Sequence, residues 1–238
     1  MQQQQEILEN LRSWLEELSK SNLVEWEQIP EIELYMDQVI GYVDRQLMHT
    51  RVLPEEKILT PAMVNNYVKF GTLPKPEGKK YKRGHIARLF PLCVLKQTMS
   101  LPVIGAAIDD FKGMLGGEHA YNRYCRLQNR AFAKASSLAL SAADDTPGQQ
   151  LDSLETMAFE LAIESAANRI VAERIMHAVG KYRAEQKKQA ADAEKEGKAR
   201  DKETKPKERR SDNEDKSARS KPSEEKQSSK PNAQKEDK

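Results

Sequence analysis

Only two cysteines occur in 238 residues, Cys93 and Cys125. They stand far apart, with no spacing that suits a zinc site or a disulfide framework, so two reduced thiols on helices are expected. Aromatic residues make up just 6% of the chain. The apolar content comes instead from Leu, Ile, Val, Met and Ala, which favours helices over sheet. No run of 18 apolar residues is present, which argues against a membrane span. The opening MQQQQEILEN has neither the basic stretch nor the apolar stretch of a signal peptide. These absences predict a soluble, cytoplasmic protein with no membrane partner.

Catalytic signatures are missing too. His49, His85, His119 and His177 share no metal-binding spacing, and no P-loop, dinucleotide fingerprint or nucleophile elbow occurs. His85 reads as an ordinary exposed histidine. The paired carboxylates Asp109-Asp110 and Asp144-Asp145 sit near expected helix ends, where a solvated or capping role is favoured. The expectation is therefore a binding protein and not an enzyme, with no cofactor and no metal.

What is present is charge, unevenly placed. The first sixty residues carry five basic and twelve acidic groups. From Tyr67 to Phe90 there are seven basic residues (Lys69, Lys75, Lys79, Lys80, Lys82, Arg83, Arg88) against one acid, Glu77. A nearly neutral chain has gathered positive charge on one segment, the footprint of a surface that meets phosphates. From Ala184 onward the sequence has no Leu, Ile, Val, Met or aromatic residue, with 17 basic and 14 acidic groups. Such a polyampholyte cannot bury enough apolar surface to offset chain entropy, so disorder is expected over 184–238. A solubilising tail, a nucleic-acid tether and a docking segment are all consistent with it.

Apolar periodicity predicts seven helices. The first uses Ile7, Leu8, Leu11, Leu15 and Leu18, and the second runs through Leu34, Tyr35, Val39, Tyr42, Val43 and Leu47. Thr60-Pro61 starts a third, with Thr as cap and Pro in the first turn, ending at Phe70-Gly71. After the loop LPKPEGKK, a fourth spans Arg83 to Met99, where Pro91 predicts a kink or a late start. A fifth starts at Ser100-Leu101-Pro102 and ends among Gly113, Gly116 and Gly117. A sixth covers 118–143, with Tyr121, Tyr124, Leu127 and Phe132 as candidate buried positions. Thr146-Pro147-Gly148-Gln149 has the form of a capping box and opens a long last helix with a wide apolar stripe from Leu151 to Tyr182. The only strand signal is a short hairpin in the basic loop.

Within the basic segment, Asn65, Asn66 and Lys69 form a thin polar face while Met63, Val64 and Tyr67 point inward. Lys75, Lys79, Lys80 and Lys82 load the following loop, and Tyr81 is a stem or a sugar contact. The order Met63-Val64-Asn65-Asn66-Tyr67, Gly71-Thr72-Leu73-Pro74, Lys79-Lys80-Tyr81 and Thr98-Met99-Ser100-Leu101-Pro102-Val103-Ile104 resembles the winged helix-turn-helix of the MerR superfamily. With IPEIELYMDQVIGYVD upstream, the resemblance extends over Ile29 to Phe111, to a bacterial domain family of unknown function that carries this MerR-like unit. It implies an all-α fold with a small β wing, followed by a C-terminal helical region and the disordered tail. Where the family's pattern has Arg and the first Tyr of a pair, this chain has Asn65 and Asn66. Asn65 has the chemistry either to pair with adenine or to donate to phosphate.

The implied organisation is an N-terminal amphipathic helix (1–28), a winged helix-turn-helix domain (29–115), a helical bundle or dimerisation region (116–183) and the tail (184–238). The implied function is a DNA-binding transcriptional regulator, commonly a homodimer on double-stranded DNA, with Asn65, Asn66, Lys69, Lys79, Lys80, Tyr81, Lys82 and Arg83 at the interface. No residues mark a small-molecule effector. The alternative is a protein-interaction module that keeps the winged-helix fold without reading DNA.

Overall fold

The computed structural model describes residues 2–53, 55–146 and 148–203. Two compact units are distinguished, Met1–Gln189 and Ala190–Lys238. All packing below belongs to the first. The described residues hold helices α1 (Gln2–Lys20), α2 (Met36–Gln46), α3 (Pro61–Lys69), α4 (Arg83–Leu95), α5 (Leu101–Leu115), α6 (Gly117–Ala143) and α7 (Gln150–Glu203), with strands β1 (Leu34–Tyr35) and β2 (Lys80–Tyr81).

One core runs from Leu23 to Cys125. Val39, Val43 and Leu47 from α2, Val64 and Tyr67 from α3, Ile86, Leu89, Phe90 and Leu92 from α4, and Ile104 from α5 are buried in it. Tyr121 and Cys125 at the start of α6 close it. The 3–4 spacing in α2 and α3 puts their buried side chains on one face each, whereas α4 is buried on all sides from Ile86 to Cys93.

Several local signals act as the sequence predicts. The Thr60 side chain accepts the Met63 N–H at 3.2 Å and Pro61 occupies the first turn of α3. Gly71 stands at φ 69° and Gly116 at φ 82°, in the left-handed region that ends a helix at low cost. Others differ. Leu34 and Tyr35 belong to β1 rather than to the second helix, because their backbone pairs antiparallel with β2, Leu34 opposite Tyr81 and Tyr35 opposite Lys80. Pro91 neither delays α4 nor ends it; the helix begins at Arg83, and Pro91 is buried four residues before its end. α7 begins at Gln150, past the capping-box residues.

Leu127 is exposed and Phe132 half-buried, so α6 beyond Cys125 contributes less to the core than its pattern predicts. That half of α6 instead receives α1, with Leu15 and Leu18 buried and Arg12 bound to Asp144 at 2.6 Å and to the Ala143 carbonyl. The extended segment between them is held along α6. Asn129 Oδ1 accepts the Leu23 N–H at 3.0 Å, Asn122 Oδ1 accepts the Trp26 N–H at 2.8 Å, and Tyr121 donates its hydroxyl to the Val24 carbonyl. Positions 122 and 129 lie two turns apart on one helix face, matching the reach of an extended strand.

Disorder expected from residue 184 is corrected in part: α7 continues to Glu203. Ala, Glu, Lys and Gln are strong helix formers, and Lys188 with Asp192 is one of the opposite-charge pairs spaced by a turn. Residues 204–238 of the expected tail lie outside the described residues. No described helix is long and apolar enough to cross a membrane.

Candidate nucleic-acid interface

The basic segment folds into α3, a loop, a tight turn and the start of α4. In α3 the buried Val64 and Tyr67 force the intervening residues outward, so Asn65, Asn66 and Lys69 share the exposed face. Tyr67 is a core residue. Burial raises its hydroxyl's pKa, and that hydroxyl has no hydrogen-bond partner among the described residues.

The loop ends in a hairpin of the smallest kind. Glu77 bridges to Lys80, whose N–H donates to the Glu77 carbonyl at 2.9 Å. The two central residues, Gly78 and Lys79, both have positive φ, 54° and 64°. Two consecutive left-handed residues characterise the type I′ turn favoured in two-residue hairpins. Lys79 is thereby held at the tip and exposed. On its other edge β2 pairs with β1, so Glu77, Lys80-Tyr81 and Leu34-Tyr35 lie side by side.

That pairing changes the electrostatics. β1 is preceded by Glu31 and Glu33, and the fold returns both to the basic loop. Glu33 lies 3.8 Å from the Lys80 ammonium, and Glu31 lies 3.0 Å from the Arg83 guanidinium. Glu77 binds Lys82 at 2.6 Å; this contact lowers the Glu77 pKa and raises that of Lys82. Lys80 also lies over the Tyr35 ring, and Arg83 over the Trp26 ring, each at 5.7 Å. By contrast, Lys69, Lys75 and Lys79 make no ion pair among the described residues.

Tyr81 and Arg88 are internal. Tyr81 is only 2% exposed, which corrects the expected sugar contact: its ring is a stem under the turn, edge-on to His85. Arg88 is buried and donates to the Thr72 and Gly105 carbonyls and, through both terminal nitrogens, to Asp109. It ties the Gly71–Pro74 step to α5 rather than offering charge to solvent. The Arg88 contact also holds the Asp109 carboxyl below its ordinary pKa. Gly105 faces this step closely; a Cβ there would meet Thr72 Cγ2 at 3.1 Å.

His85 is half-buried, not the exposed histidine expected. Its Nδ1 accepts the Lys82 N–H at 3.0 Å, and it also interacts with the Lys75 carbonyl. Burial is the first cause that lowers its pKa. The imidazole thus fixes the Lys82 end of the 75–82 loop. The capping signal, a polar residue three positions after Lys82, was legible; the Lys75 contact depends on the folded loop.

Neither carboxylate pair serves as expected throughout. Asp109 and Asp110 bind Arg88 and Arg183, and Asp144 binds Arg12. Asp145 does cap locally, accepting from the Thr146 N–H and the Ser153 hydroxyl. Cys93 and Cys125 are free and buried, and burial pushes their thiols up to about 12 and about 11.

Residues 24–124 match the family model described as a domain of unknown function (DUF1836). A domain of that family therefore spans the segment from the Val24 lead-in to the first turns of α6, leaving α1 and α7 outside it. No curated protein and no solved structure matches the chain.

Proposed function

We propose that the outer face of α3 and the lysine-tipped turn bind duplex DNA, in a transcriptional regulator built on a MerR-like winged helix-turn-helix. The observation that carries this reading is the exposure of Asn65, Asn66 and Lys69 on α3 and of Lys75 and Lys79 in the loop that follows it, with all three lysines free of ion pairs among the described residues. In this reading α3 enters the major groove, where Asn65 and Asn66 meet base edges or phosphates. The turn lies along the backbone, and Lys69, Lys75 and Lys79 each displace a counterion from a phosphate. Lys80, Lys82 and Arg83 already have carboxylate partners, so they exchange one anion for another and contribute less. The protein acts by binding and not by catalysis.

The test is affinity of the full chain for duplex fragments across a salt series. Lys75→Gln with Lys79→Gln should weaken binding to every sequence and flatten the logarithmic salt dependence by about 0.9 per lysine removed. Unchanged affinity and slope would sink the assignment.

A second reading is favoured by the ion pairs themselves together with Phe70, which is 64% exposed beside Lys69. On this reading the same surface docks an acidic protein, with Phe70 as its apolar anchor. Competition decides between them: duplex DNA displaces the partner only if both use the free lysines.

A further inference from the structure

Acids reach the basic turn from two directions. β2 carries Lys80 and leads into Lys82, with Glu77 along one edge and Glu33, just before β1, along the other. Glu77 binds Lys82 at 2.6 Å, and Glu33 lies 3.8 Å from Lys80. Glu31 reaches Arg83 at 3.0 Å, and the Trp26 ring lies against the same guanidinium. The segment that brings Glu31 and Glu33 is fixed at both ends. Ile29 is buried before it, and Leu34 is buried and paired with Tyr81 after it. The fold thus delivers both carboxylates to the foot of the turn.

We infer that Glu33 and Glu77, with Glu31 behind them, set the specificity of this surface by holding Lys80, Lys82 and Arg83 back from loosely placed polyanions. The inference deepens the DNA-binding reading above and rests on it. A cation with a carboxylate in contact presents almost no net charge at a Debye length, about 8–10 Å near physiological salt. It therefore adds little to steering or to sequence-independent binding, both of which follow net charge. It counts only where a phosphate arrives in contact and takes the place of the carboxylate. Exposed pairs of this kind are weak enough for such an exchange.

Of the five cations from Lys75 to Arg83, three are withheld in this way and two, Lys75 and Lys79, are not. Counting the three acids lowers the charge of the turn from plus five to plus two. The withheld cations differ among themselves. The Lys80 and Lys82 side chains are 42% and 47% exposed, so either can meet a phosphate once its partner yields. The Arg83 side chain is 19% exposed, which makes its pair with Glu31 the least exchangeable.

The test compares two charge-matched variants of the full chain. Glu33→Gln with Glu77→Gln frees Lys80 and Lys82. Glu155→Gln with Glu164→Gln removes the same charge from exposed positions of α7. On random-sequence duplex the first should bind about tenfold tighter than the second, with a logarithmic salt slope steeper by up to about 0.9 per freed lysine. Glu31→Gln alone should add less than about threefold. Adding Lys80→Gln and Lys82→Gln to the first variant should erase its gain; a gain that survives overturns the assignment of these pairs. Elution from immobilised heparin, a sulfated polyanion, is the second readout and needs no DNA site. Later elution of the first variant than of the second, with duplex bound by neither, upholds the screen and removes the DNA reading. Equal behaviour of the two variants in both assays overturns the inference.

Discussion

The imidazole of His85 stands edge-on to the ring of Tyr81, with centroids 5.8 Å apart and planes at 82°. One ring is the buried stem of the basic turn. The other accepts the Lys82 N–H that begins α4. The orientation of the turn therefore depends on a titratable group at the base of the turn, beside Lys82.

Acid should loosen this arrangement first. Nδ1 can accept the Lys82 N–H only while unprotonated, and burial lowers the folded-state pKa of His85. A lowered folded pKa means a contribution to stability that is present above the unfolded value, about 6.5, and lost as pH falls through the folded value. Denaturant unfolding of wild type and His85→Ala at pH 8 and pH 5 should show the gap between them shrinking in acid. An unchanged gap would place the His85 contribution in packing alone.

Arg88 is a buried charge that three groups depend on. Removing it leaves the Thr72 and Gly105 carbonyls short of a donor and Asp109 without its partner. Arg88→Ala should destabilise by about 3 kcal/mol, typical of breaking a buried charge network. Asp109→Asn should cost under about 1 kcal/mol, since that side chain is 64% exposed and screened. The lowered Asp109 pKa gives a contribution present above its unfolded value and lost as pH falls through the folded one. Urea midpoints of both variants at pH 3 and pH 7 check the size and the sign.

At the tip of the turn, stability and function should move in opposite directions. Lys79 holds φ 64°, which costs a residue with a Cβ about 1 kcal/mol relative to glycine. Lys79→Gly should therefore leave stability unchanged or raise it by about 0.5 kcal/mol, after the entropy of the freer unfolded chain. Duplex affinity should fall in the same variant. Parallel melting and binding measurements on one preparation test both halves.

Gly105 illustrates a conflict between propensity and space. Alanine gains about 1 kcal/mol in a helix interior. Yet its Cβ would press Thr72 Cγ2 at 3.1 Å, inside a buried step already tied down by Arg88. Gly105→Ala should be net destabilising by about 1 kcal/mol. Adding Thr72→Ser, which removes the obstructing methyl, should recover most of it; equal losses in single and double variants would show that the methyl is not the obstacle.

Legibility followed the range of the interactions. Thr60 and Pro61, Gly71 and Gly116 act on neighbours a few residues away, so the sequence displays them directly. Leu34 and Tyr35 continue a helical apolar pattern, and only pairing with Lys80 and Tyr81, more than forty residues later, makes them a strand. Counting charge along the chain found one acid in the basic segment. The folded chain adds Glu31 and Glu33 from across the β1–β2 pairing and buries Arg88 altogether. Asn65, Asn66 and Lys69 were readable as an outward face because Val64 and Tyr67 mark the inner one.

The lashing of residues 23–26 along α6 also has a temporal side. The Leu23 and Trp26 amides find their acceptors 106 and 96 positions later, on Asn129 and Asn122. At a synthesis rate of about 5–20 residues per second, those acceptors emerge roughly 5–20 s after the amides. Until α6 is made, the Leu23 and Trp26 amides have only water as a partner in place of these two side chains.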